Sequence, residues 1–344
     1  MSFRVRPARA GDFGAIYELA TLTGGGFTNL PADKGTLVAK LTRSEEAFAR
    51  DEDSPQGDLF LFVLEEAETG AIRGNCQVFS RIGADQPFYS YRISKLTQTS
   101  PELGRTFKTE MLTLCTDFND CSEVGGLFLH PDARQSGAGL GLLLARSRYL
   151  FIRRNRARFA DTIVAELRGV IGDDGSSPFW DAIAGRFFGM GFQEADAFNG
   201  AHGTQFIADL MPKTPIYTAM LPDDALAVMR KPHPSGQAAK RMLEAEGFSG
   251  EDYVDIFDGG PTMEAATDRI RTVAEARELV LDGIRDGEGG ERMLLAGGRL
   301  ADFAAGYGRL AISPQEGVTL DAASARLLGL APGDSFLAVG HGAR

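Results

Sequence analysis

Residues 134–140 read Arg-Gln-Ser-Gly-Ala-Gly-Leu, and the next apolar positions, Leu143 and Leu144, follow at helical spacing. A helix begins with unpaired N–H groups and a partial positive charge, so it can hold an anion without a basic side chain. Gly137 and Gly139 strip side chains from the approach, Arg134 opens the loop, and Leu140 starts the buried face of the helix. The chemistry this suits is capture of a pyrophosphate by Arg134, Gln135, Ser136, Gly137, Ala138, Gly139 and Leu140. A nucleotide P-loop is excluded, because Leu140-Gly141 stands where Lys and then Ser or Thr are required. A dinucleotide fingerprint would follow the first strand of a βαβ unit, whereas several strands precede this loop. A tight turn ahead of a core helix is the alternative reading.

Three further residues could do chemistry. His233 sits in "RKPHPSG", stiffened by prolines on both sides, and an imidazole titrates near neutrality. Glu166 and Arg168 alternate in "VAELRGV" and so point the same way, one suited to an amine or guanidinium and the other to a carboxylate. An ion pair between them is the competing reading. Trp180 is assigned to the core, and His130, His202 and His341 to structural or exposed positions. The run "RRNRAR", 153–158, is read as a solvated helix end, with contact to a ligand phosphate as the weaker alternative. Cys76, Cys115 and Cys121 contain no C-x-x-C pair and the four histidines no zinc spacing, which implies a reducing compartment and no metal.

The elements that must position these residues follow from periodicity. "FRVRPARAGDFGAIYELATLTG" is a strand followed by a helix, with Asp12 as N-cap, and "DLFLFVLEEAETGAIRGNCQVFSRI" is a hairpin. "DTIVAELRGV" reads as a buried strand, so the glycine loop and its helix make a crossover. Ser177 and Pro178 open a further helix that Gly191 can close, and "TQFIADLM" reads as a strand. Residues from about 213 to 280 are mostly helix and loop, and glycine-broken apolar runs after 280 predict a small β-rich appendage.

Bulk composition sets outer limits. The chain has 344 residues, 43% hydrophobic and 24% charged, values of a folded globular protein long enough for two domains. A net charge of -11 opposes both nucleic acid and anionic membranes as partners. The amino terminus lacks a secretory h-region and no stretch is long enough to span a membrane, so a cytoplasmic address is expected.

The order strand, RxxGxG, helix, strand, then helix ending in "FGMGF" resembles the GNAT superfamily of acyl-CoA N-acyltransferases. Longer blocks, "FTNLPADKGTL", "PFYSYRI", "VAELRGVIGDDGSSPFW", "FIADLMPKTPIYT", "KPHPSGQAAKRMLEAEGF" and "YVDIFDGGPTMEA", resemble the arginine N-succinyltransferase family. The resemblance implies an α+β fold: a GNAT-like core of mixed sheet and flanking helices over 1–215, a helix and loop segment carrying His233 over 216–280, and a barrel-like β-rich subdomain over 281–344. It implies transfer of succinyl from succinyl-CoA to the α-amino group of L-arginine, with succinyl-CoA as co-substrate and neither cofactor nor metal. Ornithine or another acyl donor, or a non-catalytic acyl-CoA-binding role, are the alternatives. Assembly is expected with a second copy or a paralogous chain. Leu127, with Phe128 and Leu129 beside it, matches the strand that contacts the thioester, and His233 matches the proposed proton donor. Phe187 stands where many GNAT enzymes carry a tyrosine acid, which leaves that role to His233 or water.

Overall fold

The computed structural model describes residues 2–23, 29–134, 138–287 and 289–340. Two compact units interleave along the chain: Met1–Arg81, Ser122–Asp161 and Ala266–Arg344 form one, and Ile82–Cys121 with Thr162–Ala265 the other.

The first unit is organised around the short strand Phe3–Pro7. One edge pairs antiparallel with Leu59–Glu66 and the other with Ala304–Ser313, in the register Arg4 to Gly306 and Val5 to Ala305. Leu59–Glu66 is buried along its whole length, as an apolar run between two neighbours must be. The sheet continues through Ile72–Phe79 to Ser122–Leu129 on one side. On the other it runs through Glu291–Gly297 and Ser335–Gly340 to Arg277–Val280, all antiparallel. Helix Leu140–Arg154 buries Leu143, Leu144 and Phe151, and Phe151 meets Phe60, Phe62 and Phe303 with ring centroids 4.8, 4.9 and 5.1 Å apart.

In the second unit, Ser90–Ser100 and Arg105–Cys115 form a long hairpin flanked by Ile216–Tyr217 and Tyr253–Asp255. Its core is aromatic. Trp180 is fully buried, stacks on Phe257 at 5.5 Å, and donates its indole N–H to Met190 O at 2.9 Å. The core assignment of this residue therefore holds.

Several expectations change. Ala304–Ser313 pairs with the first strand, so the carboxy-terminal strands share its sheet, although Leu281, Leu295, Leu310, Leu320 and Phe336 make a core of their own. "TQFIADLM" is not a strand but the helix Gln205–Leu210, because Ile207 and Met211 are buried at a spacing of four. The helix opened by Ser177, which does accept the Trp180 N–H, ends at Ala182. Gly189, at φ 65°, closes the next short helix, and Gly191 precedes a third. The "RRNRAR" run is not a solvated face. Arg158 is fully buried and donates to Asp58, Arg50 O and Ala47 O, while Arg156 pairs with Asp161 and Asp268 and Arg154 with Glu278. Chain that returns from distant positions brings the carboxylates and carbonyls that periodicity could not show. No helix among the described residues is long and apolar enough to cross a membrane.

Candidate active site

Leu127, Phe128 and Leu129 occupy the end of strand Ser122–Leu129, next to the glycine loop. The ladder with Ile72–Phe79 slips there: Asn75 faces Phe128 but Gln77 faces Gly125, so Cys76 alone stands opposite both Gly126 and Leu127. This is a β-bulge, which removes residues from the ladder and re-aims the backbone. Gly126 enables it with φ 57°, a conformation that side chains resist. Its carbonyl accepts the Asn75 side-chain N–H at 2.8 Å. Carbonyl and N–H of a trans peptide point in opposite directions, so the Leu127 N–H is turned away from Asn75.

Beyond the strand, Arg134 lays its guanidinium over the Phe128 ring, 5.2 Å from the centroid, and its Nε donates to Leu129 O at 2.9 Å. Gln135, Ser136 and Gly137 lie outside the described residues. Gly139 is the N-cap of helix Leu140–Arg154 in a left-handed conformation, φ 71°, and its carbonyl takes the Leu143 N–H at 2.9 Å. Ala138 and Leu140 flank it, Leu140 buried as expected. A helix of 15 residues thus starts directly after a bare backbone step.

Behind the bulge lies a buried polar network that the sequence reading missed. Lys40 Nζ donates to Asn29 O at 2.6 Å and to Gln77 Oε1 at 3.3 Å, and Gln77 Nε2 donates to Asn29 Oδ1 at 2.7 Å. A Cβ on Gly125 would fall 2.9 Å from Asn29 Nδ2 and 3.1 Å from Glu123 Oε1, so the glycine makes room for the network. Burial pushes the Glu123 carboxyl up to about 7 and the Lys40 ammonium down to about 8. Glu123 has a folded pKa above its ordinary value, so its contribution to stability is full below about 4.5 and lost as pH rises toward 7. For Lys40 the sign reverses, and stability rises between about 8 and 10.5. Glu123→Gln is therefore expected to stabilise the fold at pH 8 by about 3 kcal/mol and to do almost nothing near pH 4.5. Urea unfolding at the two pH values measures this; an equal effect at both would contradict it.

In the second unit, strand Thr162–Glu166 leads into Arg168. Glu166 Oε1 accepts from Thr262 Oγ1 at 3.4 Å. Arg168 makes no ion pair with Glu166 among the described residues, and its Nε is buried without a hydrogen-bond partner there. Its charge acts instead on Asp196, whose carboxyl is raised by burial and by Asp255 and drawn back by Arg168.

The structure brings His233 and Arg168 together. The His233 backbone N–H donates to Arg168 O at 2.7 Å, and Gly169 pairs with Pro232 in an antiparallel bridge. His233 Nδ1 accepts the Ser235 N–H at 3.2 Å and lies 2.7 Å from Ser235 Oγ. In the neutral ring the proton therefore sits on Nε2. On protonation at Nδ1, Ser235 Oγ can accept the new N–H. Burial, and then the Arg168 charge, lower the His233 pKa, which makes the imidazolium a stronger acid.

Asp258 anchors this arrangement, though the sequence reading quoted its block without giving it a role. Its carboxylate accepts the Gly169 N–H at 2.7 Å and the Gly260 N–H at 2.8 Å. Burial, and then the neighbouring Asp255 carboxylate, push the Asp258 carboxyl well above the usual carboxylate range. Arg230 is drawn in by a bond from its N–H to Gly259 O and by an ion pair with Glu110 at 2.7 Å. Of the remaining candidates, Phe187 is exposed, His202 meets the Phe198 ring at a tilt of 40° with centroids 4.3 Å apart, and His130 caps its own turn at Asp132 N. His341 lies outside the described residues. No group of three or more metal-ligating side chains occurs among the described residues.

Comparison with known proteins bears on the whole chain. The family model described as "Arginine N-succinyltransferase beta subunit" matches residues 3–272, and the model of that subunit's C-terminal domain matches 277–340. The arginine N-succinyltransferase of Citrobacter koseri is 42% identical over 281 residues, which is 81% of this chain and 80% of that protein. The Escherichia coli protein of the same name is 42% identical over 274 residues, 79% of this chain and 78% of its own length. The solved structure of arginine/ornithine succinyltransferase subunit AI from Pseudomonas aeruginosa superposes with a TM-score of 0.88 at 33% identity, covering 99% of both chains. With identity of this extent and a shared fold from end to end, the chain belongs to the arginine N-succinyltransferase family.

Proposed function

We propose that this chain is a cytoplasmic N-succinyltransferase that moves succinyl from succinyl-CoA to the α-amino group of L-arginine by direct attack. The observation that carries the proposal is the bulge at Gly126–Leu127, which takes both residues out of register with the neighbouring strand, on the strand that leads to the glycine-capped start of helix Leu140–Arg154. The coenzyme diphosphate is assigned to residues 134–140 and the thioester to the strand ahead of them. As the amine adds, the carbonyl becomes an oxyanion, and one preorganised donor such as Leu127 N–H is worth roughly 10²–10³ in rate.

An α-ammonium gives up two protons in forming an amide. One passes to solvent before attack, and the second balances the departing thiolate, for which the His233 imidazolium is the proposed acid. Arg168, whose Nε is buried without a hydrogen-bond partner among the described residues, is proposed to hold the α-carboxylate of arginine, and Glu166 its cationic end.

Release of free thiol, followed with a panel of acyl-CoA donors and amine acceptors, tests the assignment. Succinyl-CoA with arginine should give the highest kcat/KM; preference for acetyl-CoA would overturn the donor, and preference for ornithine the acceptor. Arg168→Ala should raise KM for arginine by roughly 10–100-fold with KM for succinyl-CoA unchanged, the loss expected of one charged hydrogen-bonded contact. An unaltered KM for arginine would remove Arg168 from the acceptor site. Assembly with a second copy or a paralogous chain is the quaternary form we propose, and a monomeric mass by light scattering would contradict it.

A further inference from the structure

We infer that Asn75 is a positioning residue for acyl transfer: its side-chain N–H, by holding Gly126 O, sets the direction of the Leu127 N–H. The inference deepens the reading above and rests on it. A glycine with φ 57° lies in a region that glycine can leave at little cost, so nothing in Gly126 itself fixes the plane of the 126–127 peptide. The slip in the ladder also leaves residues 126 and 127 without a register partner on the neighbouring strand. The contact that fixes the plane comes from 51 residues away, Asn75 Nδ2 to Gly126 O at 2.8 Å.

The other end of the same amide sharpens the point. Asn75 is 1% exposed, and its Oδ1 has no hydrogen-bond partner among the described residues. Flipping the amide would set Oδ1 against Gly126 O, two acceptors face to face, so its orientation is determined. A buried orphan acceptor is destabilising, because its lost hydration is not replaced. A leucine of similar size would fill this place without that penalty. What Asn75 alone supplies is an N–H aimed at the bulge carbonyl, and through it the aim of the opposite N–H.

Steady-state kinetics of the full chain with succinyl-CoA and arginine test this. Asn75→Leu should lower kcat by roughly 10–100-fold, the scale of a misplaced catalytic donor, with KM for succinyl-CoA changed less than threefold. Asn75→Asp provides the second arm. Its protonated carboxyl can donate to Gly126 O and its ionised form repels it, and burial raises its pKa. Its kcat relative to wild type should therefore fall at least tenfold as pH rises from about 6 to about 9, while the ratio for Asn75→Leu stays flat. A purely structural role would lower thermal stability without that pH-dependent ratio. Asn75→Leu that folds, by circular dichroism, and keeps kcat within twofold overturns the inference, as does a flat Asn75→Asp ratio. If Asn75→Leu does not fold, the Asn75→Asp series decides alone. A wild-type chain that transfers no succinyl group sinks the activity assignment and this inference together, whereas failure of Asn75 alone is seen only against an active wild type.

Discussion

His233→Ala is expected to lower kcat by roughly 10²–10⁴, the usual contribution of one general acid or base, while coenzyme A binding stays within about twofold. The separation follows from placement. His233 belongs to the Arg168–Gly169 neighbourhood of the second unit, whereas residues 134–140, to which the diphosphate is assigned by proposal, belong to the first. Its backbone N–H to Arg168 O survives the change, so the turn should keep its path and the loss should be chemical rather than structural. Ser235→Ala offers a milder companion, since it removes the hydroxyl 2.7 Å from Nδ1 but leaves the backbone donor. Stopped-assay kinetics alongside calorimetric titration of coenzyme A measure both quantities. Unchanged kcat in a folded His233→Ala protein would remove histidine from the mechanism and leave protonation of the thiolate to water.

Gly126→Val should be nearly as damaging, with kcat reduced by roughly 10²–10³ if the bulge amide is the oxyanion donor. A Cβ at this position would lie 2.9 Å from Gln77 Cγ and 3.0 Å from Gln77 Cδ, and β-branched residues resist φ 57°. Either the bulge relaxes into a regular register, which would return the Leu127 N–H to the ladder, or Gln77 moves and breaks its bond to Asn29. Both routes misplace the donor. Circular dichroism melts must accompany the kinetics, because the strain in a left-handed residue is itself destabilising by roughly 1–2 kcal/mol. A folded variant with wild-type kcat would show that the oxyanion is stabilised elsewhere.

The Gly139 step before its helix, the hairpin, the buried strand leading to Arg168 and the Ser177 cap were legible because each is encoded within a few residues: spacing, a turn residue, a capping hydroxyl. Local information has a limit, and "RRNRAR" marks it. Four arginines in six residues at a helix end read as solvated, yet Arg158 is buried because Asp58 and two carbonyls reach it from chain about a hundred residues away. "TQFIADLM" fails for a related reason: a short apolar run fits either period, and only the buried positions of Ile207 and Met211 select the helix.

By itself, then, the sequence determined the element types over most of the chain, the bare backbone step before helix Leu140–Arg154 and the family, and it named the side chains proposed to bind an anion or move a proton. The tertiary structure decided the rest: the interleaving of the two units, the bulge that turns the Leu127 amide, the Asn75 bond that holds it, the buried Glu123 and Lys40, and the Asp258 anchor beneath Arg168 and His233. The physical reason is range. Backbone periodicity and capping act over one or two turns of chain, whereas the direction of a peptide dipole and the pKa of a buried carboxyl depend on which distant groups exclude water from them.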